Sequence, residues 1–297
     1  MDYNKYWVSL TKIDGLGPII LNRLIKKFKS PKRIWTLSYE QLIKIKGIGS
    51  KTAKNIISQK KNIEPDLEIN KLIKRDIKFV TIDNNEYPES LKNIYDPPPV
   101  LFYKGSGNFN PLSIAIVGAR KASFYGREIA KKLGRELSMR GITIISGMAR
   151  GIDSSGHKGA IRAKGNTIAV LASGIDYIYP PENNKLYKEI QENGLIVSEF
   201  PPGVKPIAAY FPRRNRIISG LAQGVVVVEA AYKSGSLITV DFALEQGRDV
   251  FAVPGNINSY QSKGCNKLIK DGAIIVTSYK DIIKELNNSN FIAKNKI

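Results

Sequence analysis

The 297-residue sequence holds one cysteine, Cys265, and one histidine, His157. A single thiol excludes an internal disulfide and suits a reducing compartment. With one imidazole and one thiol, neither a Cys/His zinc site nor a Cys-His dyad can be assembled. No G-x-x-x-x-G-K-[ST] stretch is present, so P-loop ATP hydrolysis has no support. A dinucleotide fingerprint is missing too, because Gly118 and Gly126 are too far apart for G-x-G-x-x-G. No apolar run approaches the roughly 20 residues of a membrane span. The opening Met1-Asp2-Tyr3-Asn4-Lys5 lacks the apolar core of a secretion signal. The expectation is a soluble, cytoplasmic protein with no cofactor, no metal and no membrane partner.

Acid is also scarce. Asp and Glu number 26 against 46 Lys and Arg, a formal net charge of +20. A surplus of this size points to a polyanion, either nucleic acid or an acidic membrane face; a proteome-wide lysine bias is the plainer source.

Residues 1–65 carry an internal repeat. Ile13-Asp14-Gly15-Leu16-Gly17-Pro18 returns 32 positions later as Ile45-Lys46-Gly47-Ile48-Gly49-Ser50. Each copy is followed by apolar residues at helical spacing, Leu21, Leu24 and Ile25 after the first, Ala53, Ile56 and Ile57 after the second. Apolar-Gly-apolar-Gly between short helices resembles the helix-hairpin-helix motif. The glycines allow the tight turn, and the outgoing helix offers free N–H groups to a phosphate. This stretch has 14 basic and 4 acidic side chains. Gly15, Gly17, Gly47, Gly49 and Lys51 are therefore candidate DNA contacts, the alternative being a helical docking module.

Residues 66–285 read as an α/β domain with its lead-in. Ile77-Lys78-Phe79-Val80-Thr81 is a strand, Tyr87-Pro88 and Asp96-Pro97-Pro98-Pro99 a rigid extended segment, and Val100–Gly105 an edge strand or lead-in. Seven β-branched runs then recur with helical stretches between them, at 114–117, 143–145, 167–171, 195–197, 225–228, 250–253 and 273–276. Runs that do not alternate in polarity fit strands buried on both faces. The pattern predicts a doubly wound, mainly parallel sheet, preceded by a small all-α domain. Residues 286–297 are expected to be a polar tail.

Glycine turns follow several strands, at the carboxyl ends where an open parallel sheet binds ligands. Gly118-Ala119-Arg120 allows close backbone approach and offers a guanidinium for a phosphate, or is a tight turn with a solvated arginine. Ser146-Gly147 repeats the design after the second run. Gly174 permits close approach after the third, where Tyr177 and Tyr179 either stack on bases or belong to the core. Arg213, Arg214, Asn215 and Arg216 form the densest basic cluster. At the start of a helix such arginines would point outward and oppose the dipole unless an anion sits among them, or they pair with Glu199 and Glu229. Ser234-Gly235-Ser236 forms a phosphate nest or a plain N-cap at a following helix. Asp153, Asp176, Glu199 and Glu229 match no two-metal spacing and are expected to cap helices and pair with arginines. His157 is expected to pack behind the Ser146 turn.

These motifs together resemble the DNA-processing protein A family, DprA or Smf. The likeness covers nearly the whole chain. It runs through Tyr87-Pro88 with Asp96-Pro97-Pro98, Val117–Arg120 with Ser123, Tyr125 and Gly126, and Ser146–Asp153. It continues through Tyr179-Pro180 with Asn183, Ser198-Glu199, Phe211-Pro212 to Gly220, Ser234–Thr239, Gly247-Arg248 and Val253-Pro254-Gly255. The resemblance implies an extended Rossmann-like domain that binds single-stranded DNA in a basic pocket, with Gly118-Ala119-Arg120 matching the family's DNA-contacting Gly-x-Arg turn. It further implies a non-enzymatic protein that protects incoming DNA in natural transformation (competence) and DNA recombination, loads the RecA recombinase, and dimerises through the Rossmann-like domain. The N-terminal hairpins match the helical (SAM-like) domain that many members carry. The chain is expected to be a short form, without the C-terminal winged-helix domain that many members add, and serine often stands where it has Ala119. An enzyme remains the competing class: nucleotide phosphoribohydrolases use a similar sheet with a Gly-Gly-x-Gly-Thr loop, where this chain has Ser234-Gly235-Ser236.

Overall fold

The computed structural model describes residues 4–110 and 112–288. Among these, six helices come first: α1 (Asn4–Thr11), α2 (Pro18–Phe28), α3 (Pro31–Thr36), α4 (Tyr39–Ile43), α5 (Ser50–Lys60) and α6 (Pro65–Lys74). The repeated glycine stretches are hairpins, one between α1 and α2, the other between α4 and α5. Gly15 and Gly47 have φ of +92° and +90°, a left-handed conformation that a β-carbon would strain. Gly17 and Gly49 then stand as the N-caps of α2 and α5. Each hairpin is held by the other's outgoing helix. Asn55 on α5 donates to the Asp14 carbonyl at 2.9 Å, and Arg23 on α2 donates to the Lys46 carbonyl. α6 belongs to the same unit, since Lys5–Asp66 (2.9 Å) and Lys12–Glu68 (2.5 Å) fasten it to α1 and the first hairpin. The boundary expected at residue 65 would separate α6 from the helical unit it is fastened to, and the sheet begins only at Lys78.

The remainder runs β1 (Lys78–Thr81), α7 (Glu89–Lys92), β2 (Val100–Gly105), β3 (Ser113–Val117), α8 (Phe124–Ser138), β4 (Thr143–Ser146), α9 (Ile152–Arg162), β5 (Thr167–Val170), α10 (Asn184–Asn193), β6 (Leu195–Ser198), α11 (Tyr210–Leu221), β7 (Gly224–Val227), α12 (Leu237–Glu245), β8 (Asp249–Ala252), α13 (Lys263–Lys270), β9 (Ile274–Ile275) and α14 (Tyr279–Asn288). One sheet takes the order β1-β2-β6-β5-β4-β3-β7-β8-β9. It is antiparallel at β1–β2 and β2–β6 and parallel from β6 to β9. All seven β-branched runs are strands. β2, expected as an edge strand or lead-in, lies instead between β1 and β6, antiparallel to both, with Leu101 and Phe102 buried on opposite faces.

Successive side chains enter different cores, as strand periodicity requires. Ala115, Val117, Val225 and Val227 pack under α7, α11 and α12. Ile114, Ile116, Val226 and Val228 pack under α8, α9 and α14. A third cluster joins Phe102, Ala169 and Ile196 to Trp7, Leu24 and Ile56 of the helical unit. Leu286, expected to open the tail, is 1% exposed on α14 and packs in the cluster of Leu133 and Leu137. Residues 289–297 of that expected tail lie outside the described residues.

From β3 the chain steps outward through β4, β5 and β6, then returns to place β7 on the other side of β3. The carboxyl ends of β3 and β7 therefore flank the topological switch point, where a doubly wound sheet leaves a crevice for ligands.

Candidate nucleic-acid interface

The crevice is built from the loops that leave β3 and β7. The Ala119 amide donates to the Glu229 carbonyl at 2.7 Å, and the Ile152 amide to the Ala119 carbonyl at 3.3 Å. These bonds fix the Gly118-Ala119-Arg120 turn against both neighbouring loops. Arg120 is exposed, with its guanidinium 5.0 Å from the Phe211 ring centre. Phe211 in turn meets Tyr179 edge-on at 5.6 Å. Arg120, Phe211, Asn215, Ser234, Gly235 and Ser236 all line one open cleft of about 540 Å³, with Gly118 and Ala119 at its wall and Arg214 at its floor. Its charged lining is Arg120, Lys121 and Arg214 against Asp153 alone.

The serine turn is open toward this cleft. Ser234 and Ser236 hydroxyls face each other at 2.8 Å, and α12 starts without a side-chain cap bond from Ser236. Ser234 Oγ also accepts from the Ser236 amide at 3.4 Å, so the serines bond within the turn, and the positive end of α12 lies on the cleft wall. Asn215 ties α11 to this turn through the Gly235 carbonyl at 3.4 Å.

The arginine cluster does not point outward as expected. α11 lies on the sheet with Ile217, Ile218 and Leu221 buried, and position 214 shares that inward face at helical spacing. Arg214 is 4% exposed and donates to the Gly147 carbonyl at 2.9 Å and to the Val170 carbonyl. Burial lowers its pKa to about 10, with Asp153 opposing the shift, so it stays charged at neutral pH. Gly147 is needed beneath it, since a β-carbon there would stand 2.5 Å from the guanidinium. Arg213 and Arg216 turn away from the cleft to Glu199, at 2.8 and 2.6 Å, and Arg216, 2% exposed, also pairs with Asp96 at 3.1 Å. Glu229, the other expected partner, instead accepts from the Ser123 amide and hydroxyl at the start of α8.

Several expected contacts lie elsewhere. Ser146 is fully buried and donates to the Ile116 carbonyl at 2.6 Å, bracing β4 on β3. Gly174 is buried against the 201–204 loop, and the half-buried Tyr177 follows it on the side of Asp176, which pairs with Arg75. The first hairpin, with Gly15 and Gly17, faces Phe200, Tyr210 and Arg213 across a separate cleft of about 620 Å³. Gly47, Gly49 and Lys51 of the second hairpin are exposed. His157 is buried in α9, with Nδ1 2.7 Å from the Thr167 hydroxyl. That hydroxyl donates its proton to the Ile144 carbonyl, so the imidazole donates from Nδ1. Desolvation lowers its pKa to about 3.

The sequence reading missed Lys121, Tyr260 and Gln261 in the cleft wall and the role of Phe211. Lys121 and Phe211 adjoin residues it did select. Tyr260 carries no local signal, for only the packing of β8 beside β7 brings it near β3.

The pattern of the family described as DNA recombination-mediator protein A matches residues 78–287, and that of a SAM-like helix-hairpin-helix tandem matches residues 8–61. Protein Smf of Synechocystis is 38% identical over 95% of this chain and 72% of its own. DNA processing protein DprA of Bacillus subtilis is 46% identical over 72% of this chain and 73% of its own. The X-ray structure of DprA from Streptococcus pneumoniae superposes with a TM-score of 0.80 at 34% identity, covering 96% of this chain and 98% of that one. DNA processing protein A from Helicobacter pylori, whose structure concerns its single-stranded DNA binding mode, gives 0.64 at 32% identity over 71% and 97%. With a Rossmann-like sheet, the hairpin tandem and these matches in agreement, the chain belongs to the DNA recombination-mediator protein A family.

Proposed function

We propose that this protein binds single-stranded DNA across the β3–β7 crevice and acts by holding the strand rather than by covalent chemistry. The observation that carries the reading is the composition of the cleft: an exposed Arg120 on an aromatic ring, a buried charged Arg214 beneath, and two facing serine hydroxyls at the start of α12. Cations and hydroxyls take phosphate oxygens, and Phe211 and Tyr179 offer faces and edges to bases, a combination that tolerates any sequence. The relative from Helicobacter pylori, which has a single-stranded DNA binding mode, supports the same ligand. Protection of incoming DNA in transformation and delivery to RecA, which the family resemblance suggests, complete the proposal. Assembly into a homodimer through the Rossmann-like domain is a further part of the proposal, suggested by the family resemblance.

Titration of a labelled oligothymidylate at two salt concentrations tests the binding reading. Log affinity is expected to fall with log salt at about −0.7 per neutralised phosphate. Arg120→Ala is expected to weaken binding about tenfold, as loss of one charge-assisted contact of about 1.5 kcal/mol implies. A flat salt response or an unchanged Arg120→Ala affinity would remove the cleft from the proposal. Incubation with nucleoside monophosphates is expected to leave them intact, and release of free base would favour an enzyme instead.

A further inference from the structure

Beside the cleft lies a rim that the family motifs do not include. Tyr260 lines the cleft wall and is 63% exposed; Tyr232, on the loop after β7, is 57% exposed. Between them runs the exposed side of α13, where Lys263 and Lys267 are one turn apart and lie on one face. Lys263 Nζ stands 6.0 Å from the Tyr260 ring centre, and Lys267 Nζ 5.1 Å from that of Tyr232. The platform is rigid. The Ala230 amide donates to the Gln261 carbonyl and the Gly264 amide to the Ala230 carbonyl, both at 2.8 Å. Glycine is required at 264, where a β-carbon would stand 2.7 Å from that carbonyl. Residues 230–237 and 259–267 contain no carboxylate. Lys263 opens α13 with no acid in its first turn, which is unfavourable against the helix dipole until an anion arrives.

Two exposed rings, each with an ammonium beside it, repeat the pairing of base stacking with phosphate neutralisation. We infer that this rim is a second stretch of the single-strand track: DNA leaving the cleft passes over Tyr260 and Tyr232, its bases stacked on the rings and its phosphates on Lys263 and Lys267. The inference rests on the single-strand reading of the cleft.

Affinities of oligothymidylates of about 6 and about 20 nucleotides, measured for the wild type, Tyr232→Ala, the Tyr232→Ala/Tyr260→Ala double variant and Arg120→Ala, test it. The gain in affinity from the short to the long strand is expected to shrink at least fivefold in the double tyrosine variant, since stacking on one ring alone contributes about that much. Tyr232→Ala alone, outside the cleft lining, is expected to leave the short strand bound nearly as in the wild type, whereas the double variant also loses the cleft-wall ring of Tyr260 and weakens the short strand by that one ring. Phenylalanine at both positions restores the gain, because stacking needs the ring and not the hydroxyl. Lys263→Ala/Lys267→Ala lowers the salt slope for the long strand by about 1.4. Thermal midpoints equal to wild type show that the exposed changes leave the fold intact. A double tyrosine variant that keeps the full length gain, or a Tyr232→Ala variant that weakens both strands equally, overturns the rim while leaving the cleft. An unaffected Arg120→Ala instead overturns the cleft reading on which the rim depends.

Discussion

At the scale of single residues, burial decides what the charged groups do. Arg214 and Arg216 look alike in sequence, yet one forms the floor of the cleft and the other closes an ion-pair network with Glu199 and Asp96. Glu199→Ala leaves the Arg216 charge buried with Asp96 as its remaining partner, and is expected to cost about 3–5 kcal/mol in denaturant unfolding. A loss below 1 kcal/mol would show that the network contributes little. His157 gives a cleaner readout, because it is the only histidine in the chain. Its pKa is lowered to about 3 by burial, so the folded protein binds fewer protons there than the unfolded chain. The associated stability is full above the unfolded value near 6.5 and declines as pH falls from there toward 3. The Hε1 resonance of this one imidazole in the folded protein is expected to stay flat from pH 8 to 5. An inflection near 6.5 would contradict its burial beneath Thr167.

At the scale of elements, α8 and α9 show how closely the fold is packed. A β-carbon on Gly159 would stand 2.2 Å from the Lys131 carbonyl of α8. Gly159→Ala is therefore expected to force the two helices apart and destabilise by about 1–3 kcal/mol. Gly235→Ala, with no heavy atom within 4 Å of its added carbon, serves as the control and is expected to leave the thermal midpoint unchanged. Equal midpoints for the two variants would mean that the α8–α9 contact yields easily. The elements were also the most legible part of the sequence. Seven apolar runs marked seven strands because strands covered on both faces need continuous β-branched residues. The hairpins were legible because Gly15 and Gly47 need positive φ. The cleft was legible where a motif ends a strand, as at Gly118–Arg120 and Ser234–Ser236. It was illegible where orientation depends on packing. The arginines of α11 could not be assigned to cleft, floor or ion pair until the helix face against the sheet was known, and Ser146 looked like a ligand although it braces β4 on β3.

At the scale of the whole molecule, the topology places the cleft and the charge selects its occupant. The reversal of winding order between the parallel strands β3 and β7 opens the crevice, and the net charge of +20 favours a polyanion as its ligand. The helical unit carries exposed Lys44, Lys46 and Lys51 at its second hairpin, a second candidate surface for nucleic acid. Photocrosslinking with a single strand carrying 5-iodouracil, followed by mass spectrometry of the adducts, separates the two surfaces most directly. Adducts are expected on the aromatic residues of the crevice, Phe211 and Tyr260 first among them. Adducts confined to residues 39–51, around the second hairpin, with none at the crevice, would contradict the assignment.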